Sequence, residues 1–464
     1  MTFQPVFRSL GGAPIAALLA LCIPVFTFAQ EAQHASPLTL EQAVTIALEN
    51  NPDRKAALAE TKAAAADMRE ARSFLLPHVT FSETATRGND PVYVFGSKLR
   101  QRRFTTADFA LNLLNTPTPL NNYSTRFGGT WNLFDSFASC RGIHRAELVK
   151  AAAAQQLERA DQEIVFGVVS AYDGVRLAKK ELEVAEQAMK TAQAILERSK
   201  ARVESGVAVQ SDLLNAQVRL AARKQELIRA QNNLSLARAE LSRAMGISTD
   251  KQIEPVEALV ERALPEESLE ELEKQAMEMR PDLKRIRSEE AAQEQSVAIA
   301  KASFGPRVNA FADWEADHPT VVSGGGGNNW IAGIEVQVDL FQGGARRARL
   351  QRERAMQEKV AALKDAARDA IRLEVDRAYY DLDTARQQVE VAKTAIDQAQ
   401  ESLRITQNRY ESGVSTITDL LSAEEAASRS QADYWQTVYR YHTSYANLEL
   451  ATGTLNNQSP VVMP

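Results

Sequence analysis

Few residues of this sequence combine the types and the spacing that catalysis or metal binding requires. Cys140 and His144 lie four residues apart, so one metal ion could reach both, but two ligands do not make a metal site. The glycine run 324–327 precedes a strand pattern, whereas a phosphate-binding loop opens a helix, so a hairpin loop explains it better. Neither a Walker-type GxxxxGKS or GxxxxGKT motif nor a serine nucleophile elbow occurs. The sequence therefore predicts no enzyme activity, no cofactor and no bound metal.

The most distinctive polar residues belong to a motif that occurs twice: Glu-Ser-Gly-Val, four further residues, then Asp-Leu-Leu. Glycine adopts the positive φ angles of a tight reversal at little cost, so each copy predicts a turn. The valine after each glycine would be an exposed apolar residue, which suggests contact with a partner. The glycines and valines of the two turns are Gly206, Val207, Gly413 and Val414.

An aspartate follows each turn glycine by six residues, at the predicted start of the returning helix. Thr416 lies three residues before Asp419, which fits a capping box, in which two side chains satisfy free backbone N–H groups. Val209 occupies the matching position before Asp212, so the first copy lacks this box. Capping alone is a sufficient explanation for Asp419, because a carboxylate suits a helix N-terminus. A capping box does not explain Asp212, because the first copy has none.

The two motifs are part of an internal duplication. From Leu133 and Leu340 onwards, matching residues lie 207 positions apart over more than 100 positions, which chance does not produce. Upstream, Pro52 matches Pro281 at an offset of 229. The first copy therefore contains 22 additional residues, which we place in a longer loop around 90–123.

The duplication predicts the domain organisation. Each copy begins with a helix that is broken before a proline, followed by two strands and two long helices joined by a tight turn. The boundaries are a signal peptide at 1–29; a first repeat at 30–246, with a β-hairpin at about 78–134 and a helical hairpin at about 138–246; a linker at 247–266; a second repeat at 267–453, with a β-hairpin at about 307–341 and a helical hairpin at about 345–453; and a C-terminal tail at 454–464.

The predicted strands alternate between apolar and polar residues. Residues 125–133 place Phe127 and Trp131 on one face, and 334–340 alternate in the same way. This period of two is typical of a sheet with one apolar and one polar face. Hairpins packed on a soluble core and strands facing lipid would both produce it.

The predicted long helices carry a different period. Apolar residues recur at alternating steps of four and three, which predicts a left-handed coiled coil. The segment from Ala345 to Ser412 is 68 residues long, or roughly 100 Å at 1.5 Å per residue, a length suited to crossing the periplasm. The positions of this apolar seam are Ile164, Val168, Ala171, Val175, Ala178, Leu182, Ala185, Met189, Ala192 and Leu196 in the first copy, and Ile371, Val375, Ala378, Leu382, Ala385, Val389, Ala392, Ile396, Ala399 and Leu403 in the second.

The N-terminal 29 residues indicate export. A single charge, Arg8, precedes the apolar run Ile15–Phe28, and cleavage is expected near Ala29. An uncleaved membrane anchor and lipidation at Cys22 are the alternatives. After cleavage Cys140 is the single thiol, so the mature chain has no intrachain disulfide.

The charge of the chain argues against nucleic acid as a partner. The sequence has 54 Lys and Arg against 60 Asp and Glu, a formal net charge of −6. Two short basic runs stand out, at 100–103 and 346–349. Solvated surface arginines explain them, and so does phosphate contact at a membrane surface.

These features together resemble the TolC-type outer-membrane efflux protein family, the outer membrane factors of tripartite efflux or type I secretion systems. The resemblance is carried by the matching openings Leu38-Thr-Leu-Glu-Gln-Ala-Val and Glu267-Ser-Leu-Glu-Glu-Leu-Glu, the four strands and the repeated turn motif. It implies an α+β membrane protein that forms a homotrimer. In that trimer, a 12-stranded outer-membrane β-barrel continues into a periplasmic coiled-coil barrel of twelve helices.

The resemblance also implies a function and a location. Such a protein is a passive exit duct in the outer membrane of a Gram-negative bacterium, extending into the periplasm. Its tip docks a periplasmic adaptor, which joins an inner-membrane pump. A periplasmic adaptor and an exported coiled-coil scaffold are the alternatives, although adaptors have a single helical hairpin and this chain has two.

The resemblance assigns roles to three residues near the turns. Residues that match Asp419 ring the periplasmic entrance, and those that match Asp212 and Tyr410 help to hold it shut. This chain departs from the best-known pattern, because Ser415 and Ser422 stand where a basic gate residue and a second acidic ring can occur. We therefore expect fewer gate bonds here.

Overall fold

The computed structural model describes residues 36–249, 253–261, 267–321 and 326–463. The predicted signal peptide and parts of the predicted linker and glycine run lie outside these residues. The elements, in chain order, are β1 (Ser36–Leu38), α1 (Leu40–Asn50), α2 (Pro52–Ser73), β2 (His78–Gly88), α3 (Pro91–Arg100), α4 (Leu111–Asn115), β3 (Leu120–Phe134), α5 (Ala138–Glu204), α6 (Gln210–Ala244), β4 (Ile253–Pro255), α7 (Leu269–Met279), α8 (Pro281–Ala302), β5 (Arg307–His318), β6 (Gly327–Gln337), α9 (Ala345–Glu411) and α10 (Ile417–Thr452).

The helices repeat with the offsets of the sequence. The long helices α5 and α9 both have 67 residues, and each packs against its returning helix, α6 or α10. The shorter pairs α1–α2 and α7–α8 break at Pro52 and Pro281, each of which is the first residue of its second helix. Proline suits that position because the N–H it lacks would have no partner there. At the first break, the Asn51 side chain also accepts a 2.8 Å hydrogen bond from the Asp53 N–H.

The apolar seam packs most tightly at the middle of the long helices. Val168, Val175, Val375 and Ala385 are buried, whereas Ile396 and Leu403, near the far end of α9, are only half-buried. Because the packing is close at the middle of α9 and looser towards Ser412, part of the seam stays uncovered within a single chain.

The strands form one antiparallel sheet in the order β2-β3-β5-β6, because β3 of the first copy pairs with β5 of the second. A row of aromatic residues crosses the four strands on one face. Phe81 pairs with Phe127, Phe127 with Trp314, and Trp314 with Trp330. All four are exposed, as are Ile334 and Val336 on the same face. The sheet therefore presents an apolar surface that this chain does not cover.

The additional residues of the first copy lie between β2 and β3, and they are not a simple loop. They contain α3, α4 and a short 3-10 helix at Thr106–Phe109. The Asp90 side chain accepts a 2.8 Å hydrogen bond from the Tyr93 N–H and caps α3, whose first residue is Pro91. The Asp-Pro pair was the sequence signal for this helix, since both residues favour a helix start.

A second small sheet and a mixed core lie at the middle of the helical region. Strands β1 and β4 pair in parallel, which places a strand inside the segment predicted as a linker. Tyr172 is fully buried here, and its hydroxyl donates a 2.9 Å hydrogen bond to the Leu38 carbonyl. Val461 and Val462 of the C-terminal segment pack into the same core. Among the described residues, no helix has the length and apolar character that spanning a membrane requires.

Candidate functional site

The two repeated motifs form matching turns, each at the end of a long helix opposite the sheet. Gly206 and Gly413 have φ angles of 74° and 76°, in the left-handed region that favours glycine. In the first turn the Val207 N–H donates to the Arg202 carbonyl at 2.9 Å; in the second, the Val414 N–H donates to the Arg409 carbonyl at 2.9 Å. In both turns, a backbone N–H group thus satisfies a carbonyl near the end of the helix. This arrangement is common where a helix ends at a glycine.

A valine projects from each turn. The exposed fractions of Val207 and Val414 are 66% and 67%, and Val209 is exposed beside them. This agrees with the exposure expected from the sequence. We call the two turns with the adjoining helix ends the tip. It presents apolar side chains to its surroundings, a feature common in protein-binding surfaces.

Asp419 forms the capping box that the sequence predicts. Its Oδ2 accepts hydrogen bonds from the Thr416 N–H at 2.9 Å and the Thr416 hydroxyl at 2.7 Å, and Thr416 caps α10 in return. The Ser415 hydroxyl donates a third bond at 3.0 Å. The bonds from Thr416 and Ser415 lower the pKa of Asp419. The side chain is therefore an exposed carboxylate that keeps its negative charge near neutral pH.

Asp212 has no such arrangement. Val209 is the N-cap residue of α6, and no side-chain bond caps that helix. The carboxylate of Asp212 is half-buried and, in the described residues, no hydrogen bond joins it to Tyr410. Within one chain, Asp212 and Tyr410 are therefore not bonded to each other.

Tyr410 instead connects the two helical hairpins. Its side chain is buried among Ile195, Ile417 and Leu420, and its hydroxyl lies 3.5 Å from the Ser199 Oγ. The guanidinium of Arg202 stacks 4.9 Å from the centre of the Tyr410 ring and donates to the Tyr410 carbonyl at 3.0 Å. Residues of α5 therefore hold the end of α9 in place.

A second connection, farther from the turns, was missed by the sequence analysis. Arg219 and Arg223 of α6 face Glu424 and Glu425 of α10. A 2.8 Å bond joins Arg223 Nη2 to Glu424 Oε2, and Arg219 Nη2 bonds both Glu425 Oε2 and the Leu421 carbonyl at 2.7 Å. The exposed fractions of Glu424 and Arg223 are 1% and 5%.

The sequence signal for this pair is the interruption of an apolar stripe. Leu420 and Ala427 are buried on α10, and Glu424 falls between them at spacings of four and three. Burying an unpaired charge is costly, so a charged residue at such a position either reaches solvent through a local change in packing or pairs with an opposite charge. Arg223 is that partner, at a buried position of the facing helix α6.

Comparison with known proteins decides the family. The family model described as outer membrane efflux protein matches residues 43–247 and 272–454, most of both repeats. The chain belongs to the outer membrane efflux protein family. The resemblance seen in the sequence is thus confirmed.

Relatives and solved structures agree with this family. The chain is 27% identical to Protein CyaE of Bordetella pertussis over 418 residues, covering 89% of this chain and 82% of the relative. It is 24% identical to the alkaline protease secretion protein AprF of Pseudomonas aeruginosa over 436 residues, covering 91% and 86%. The channel OprN superposes with a TM-score of 0.76 at 19% identity, covering 90% of this chain and 91% of that one. VceC of Vibrio cholerae gives 0.75 at 20%, covering 89% and 96%.

Family membership fixes the general function and location. Members are channels rather than enzymes, and the protein is an outer-membrane exit duct of an efflux or secretion system. The family assignment also decides against the periplasmic adaptor and the exported scaffold.

Cys140 and His144 are both exposed on the first turns of α5, and the His144 Nδ1 lies 3.6 Å from Glu147. No group of three potential metal ligands occurs among the described residues.

Proposed function

We propose that the protein acts as a homotrimer whose three sheets close into one 12-stranded outer-membrane β-barrel. The observation that carries this proposal is the open sheet. Its edges, β2 and β6, pair with no further strand among the described residues, and one face is apolar and exposed. Lipid does not tolerate unpaired backbone groups, and known barrels of this kind have at least eight strands. Three copies supply twelve strands and pair every edge.

The same trimer places twelve long or returning helices side by side in a periplasmic tunnel. Each chain contributes α5, α6, α9 and α10, and the internal duplication makes the threefold arrangement nearly sixfold. Val218 and Val391 are exposed on the flanks of α6 and α9, where neighbouring helices would cover them. The half-buried positions of the apolar seam near the tip support such additional coiled-coil contacts.

The tip is the proposed docking site for a periplasmic adaptor, which in turn joins an inner-membrane pump. Gly206 and Gly413 shape the two turns, and Val207 and Val414 offer apolar contacts to the adaptor. The duct itself conducts passively, so energy comes from the pump. The N-terminal 29 residues would direct export as a signal peptide, and no nucleic acid partner is proposed.

The proposed gate lies beside the tip. Three Asp419 carboxylates around one axis would attract cations and repel anions, since a ring of like charges sets the sign of the ion that passes. Tyr410 would hold the entrance closed through its contacts with Arg202 and Ser199. Asp212 is available to bond a neighbouring chain, because its carboxylate has no partner among the described residues of its own chain.

The molecular mass of the purified protein in detergent tests the assembly. Light scattering should give the mass of three copies for the unmodified mature chain. Val336 lies in β6, which is an edge strand in one chain and a central strand only in the closed barrel. Val336→Pro should abolish the trimer, since proline is poorly tolerated in a central strand. Val321→Pro, in the exposed segment after β5, is the matched control and should leave the mass unchanged.

A stable folded monomer from the unmodified chain would contradict the barrel proposal. Equal masses for the Val336→Pro variant and the unmodified protein would show that β6 pairing does not hold the assembly together.

A further inference from the structure

Four arginine side chains line one cavity where the sheet meets the helices. The cavity lies between the end of α8 and the starts of β5, α5 and α9, and has a volume of about 360 Å³. We call this region the junction. Its charged residues are Arg145, Arg307, Arg349 and Arg352, together with Asp135 and Glu353.

The two carboxylates of the junction already have partners. Asp135 Oδ2 accepts bonds from the Asn132 side chain and the Ser139 N–H, both at 2.9 Å, and so caps the start of α5. Glu353 accepts a 3.0 Å bond from Arg352 Nε and a 2.9 Å bond from Gln293. The acidic groups are thus committed to internal bonds.

Three of the arginines lack that kind of pairing. In the described part of the chain, Arg145, Arg307 and Arg349 form no salt bridge, although the charge of Arg145 contributes to lowering the pKa of Glu353. With four cations against two carboxylates, the junction carries an excess of two positive charges. Guanidinium groups around one cavity would repel each other unless an anion lies between them.

The start of α9 adds to this excess. Its first eight residues contain four arginines and no acidic residue in the first turn, and Gly344 provides no side-chain cap. Cations at a helix N-terminus are unfavourable, because free N–H groups and the helix dipole already make that end positive. A phosphate in the junction would offset the positive charge that the arginines and this helix end produce together.

Large apolar side chains lie close to the junction along the chain. Phe137 and Phe341 are exposed, and the exposed fraction of Phe341 is 85%. The guanidinium of Arg346 lies 5.1 Å from the centre of the Phe304 ring. Exposed apolar side chains next to arginines suit the boundary between membrane and water, where the rings can meet acyl chains and the cations can meet headgroups. The junction also lies where the proposed barrel ends and the periplasmic helices begin.

We propose that the junction binds the phosphate group of an anionic phospholipid of the periplasmic leaflet. This rests on the proposed barrel, which places the junction at the level of the lipid headgroups. The arginines bind the phosphate, while the exposed side chains of Phe137 and Phe341 contact the acyl chains. An anionic lipid fits better than a zwitterionic one, because the junction has two positive charges to neutralise.

Lipid retention by the purified trimer tests this site. Delipidated protein is exposed to phosphatidylglycerol, phosphatidylcholine or inorganic phosphate, and binding is read by native mass spectrometry and by the shift in melting temperature. Phosphatidylglycerol should bind at least about tenfold more tightly than phosphatidylcholine, because the two net positive charges of the junction favour an anionic headgroup. Inorganic phosphate alone should give no comparable shift, because it lacks the acyl chains.

The variant Arg145→Gln plus Arg349→Gln should lose this preference. Its matched control, Arg368→Gln plus Arg372→Gln, removes the same charge from exposed positions farther along α9 and should keep it. Equal binding of both lipids, or retention of the preference in the junction variant, would overturn the site. An equal shift with inorganic phosphate would assign it to free phosphate instead of lipid.

The same samples separate this proposal from the proposed function. The mass of each sample shows whether the trimer forms. The preference between the two lipids is measured on the same sample, whether it is a trimer or a monomer. A trimer without lipid preference overturns the junction site alone, whereas a monomer overturns the barrel.

Discussion

The buried pair between Arg223 and Glu424 allows a quantitative test of what holds the two helical hairpins together. Glu424→Gln removes the charge with almost no change in shape. Glu425 is the matched control, because it is the next residue and bonds Arg219 at 2.7 Å, but its side chain is 60% exposed. The two variants differ in burial and in the number of partners, because Glu424 Oε2 also lies 3.3 Å from Arg219 Nε.

The expected effects differ in size. Removing one partner of a buried ion pair costs about 3–5 kcal/mol, since the other charge remains buried. We expect about 3 kcal/mol for Glu424→Gln, because glutamine keeps one acceptor and Glu226 still bonds Arg223. For Glu425→Gln the expected cost is under about 1 kcal/mol, as for other exposed pairs. A cost of about 3 kcal/mol corresponds to roughly 100-fold in a local opening equilibrium.

Hydrogen–deuterium exchange of the assembled protein measures that opening. Amides in residues 216–226 and 417–428 should exchange roughly 100-fold faster in Glu424→Gln than in the unmodified protein, whereas Glu425→Gln should change them little. The core around Tyr172 serves as an internal reference and should be unaffected. Equal exchange in the two variants would refute the reasoning that burial makes Glu424 important.

Three further predictions concern the tip and the base of α10. Val207→Asp combined with Val414→Asp places charge on the proposed docking surface, so efflux should fall while the trimer still forms. Asp419→Asn removes the proposed ring of charge, so cation selectivity and block by multivalent cations in planar bilayers should decrease. Burial, reinforced by the nearby charge of Glu267, raises the pKa of Glu449 from 4.5 to about 7. Its contribution to stability is therefore complete below pH 4.5 and is lost as the pH rises through 7. Glu449→Gln should flatten this dependence and raise stability at pH 8 by on the order of 3 kcal/mol in thermal unfolding.

Conservative variants serve as controls for the tip. Val207→Ile with Val414→Ile keeps the surface apolar and should preserve efflux, while normal efflux in the aspartate double variant would argue against docking there. Ser415→Ala removes one bond from Asp419 but keeps its charge, so selectivity should remain. If Asp419→Asn also keeps selectivity and block, Asp419 is only a helix cap. An unchanged pH slope in Glu449→Gln would mean that another group titrates.

Local features of the tip and the helix breaks could be predicted from the sequence alone. The turn at Gly413, the capping box of Thr416 and Asp419, and the helix starts at Pro52 and Pro281 depend on residues within a few positions of each other. Backbone sterics and hydrogen bonding over such short spans are properties of the residues themselves. The internal duplication then repeated these local features, which made the helical hairpins and strands recognisable without the structure.

Contacts between distant segments were decided only by the tertiary structure. Periodicity indicates an apolar face but does not name its partner, so the pairing of β3 with β5 and the burial of Tyr410 against α5 were not predicted. The same holds for Arg223 and Glu424, which are 201 residues apart. The sequence shows that Glu424 interrupts an apolar stripe but does not identify its partner. The packing of α6 against α10 removes both charges from water and makes the pair necessary.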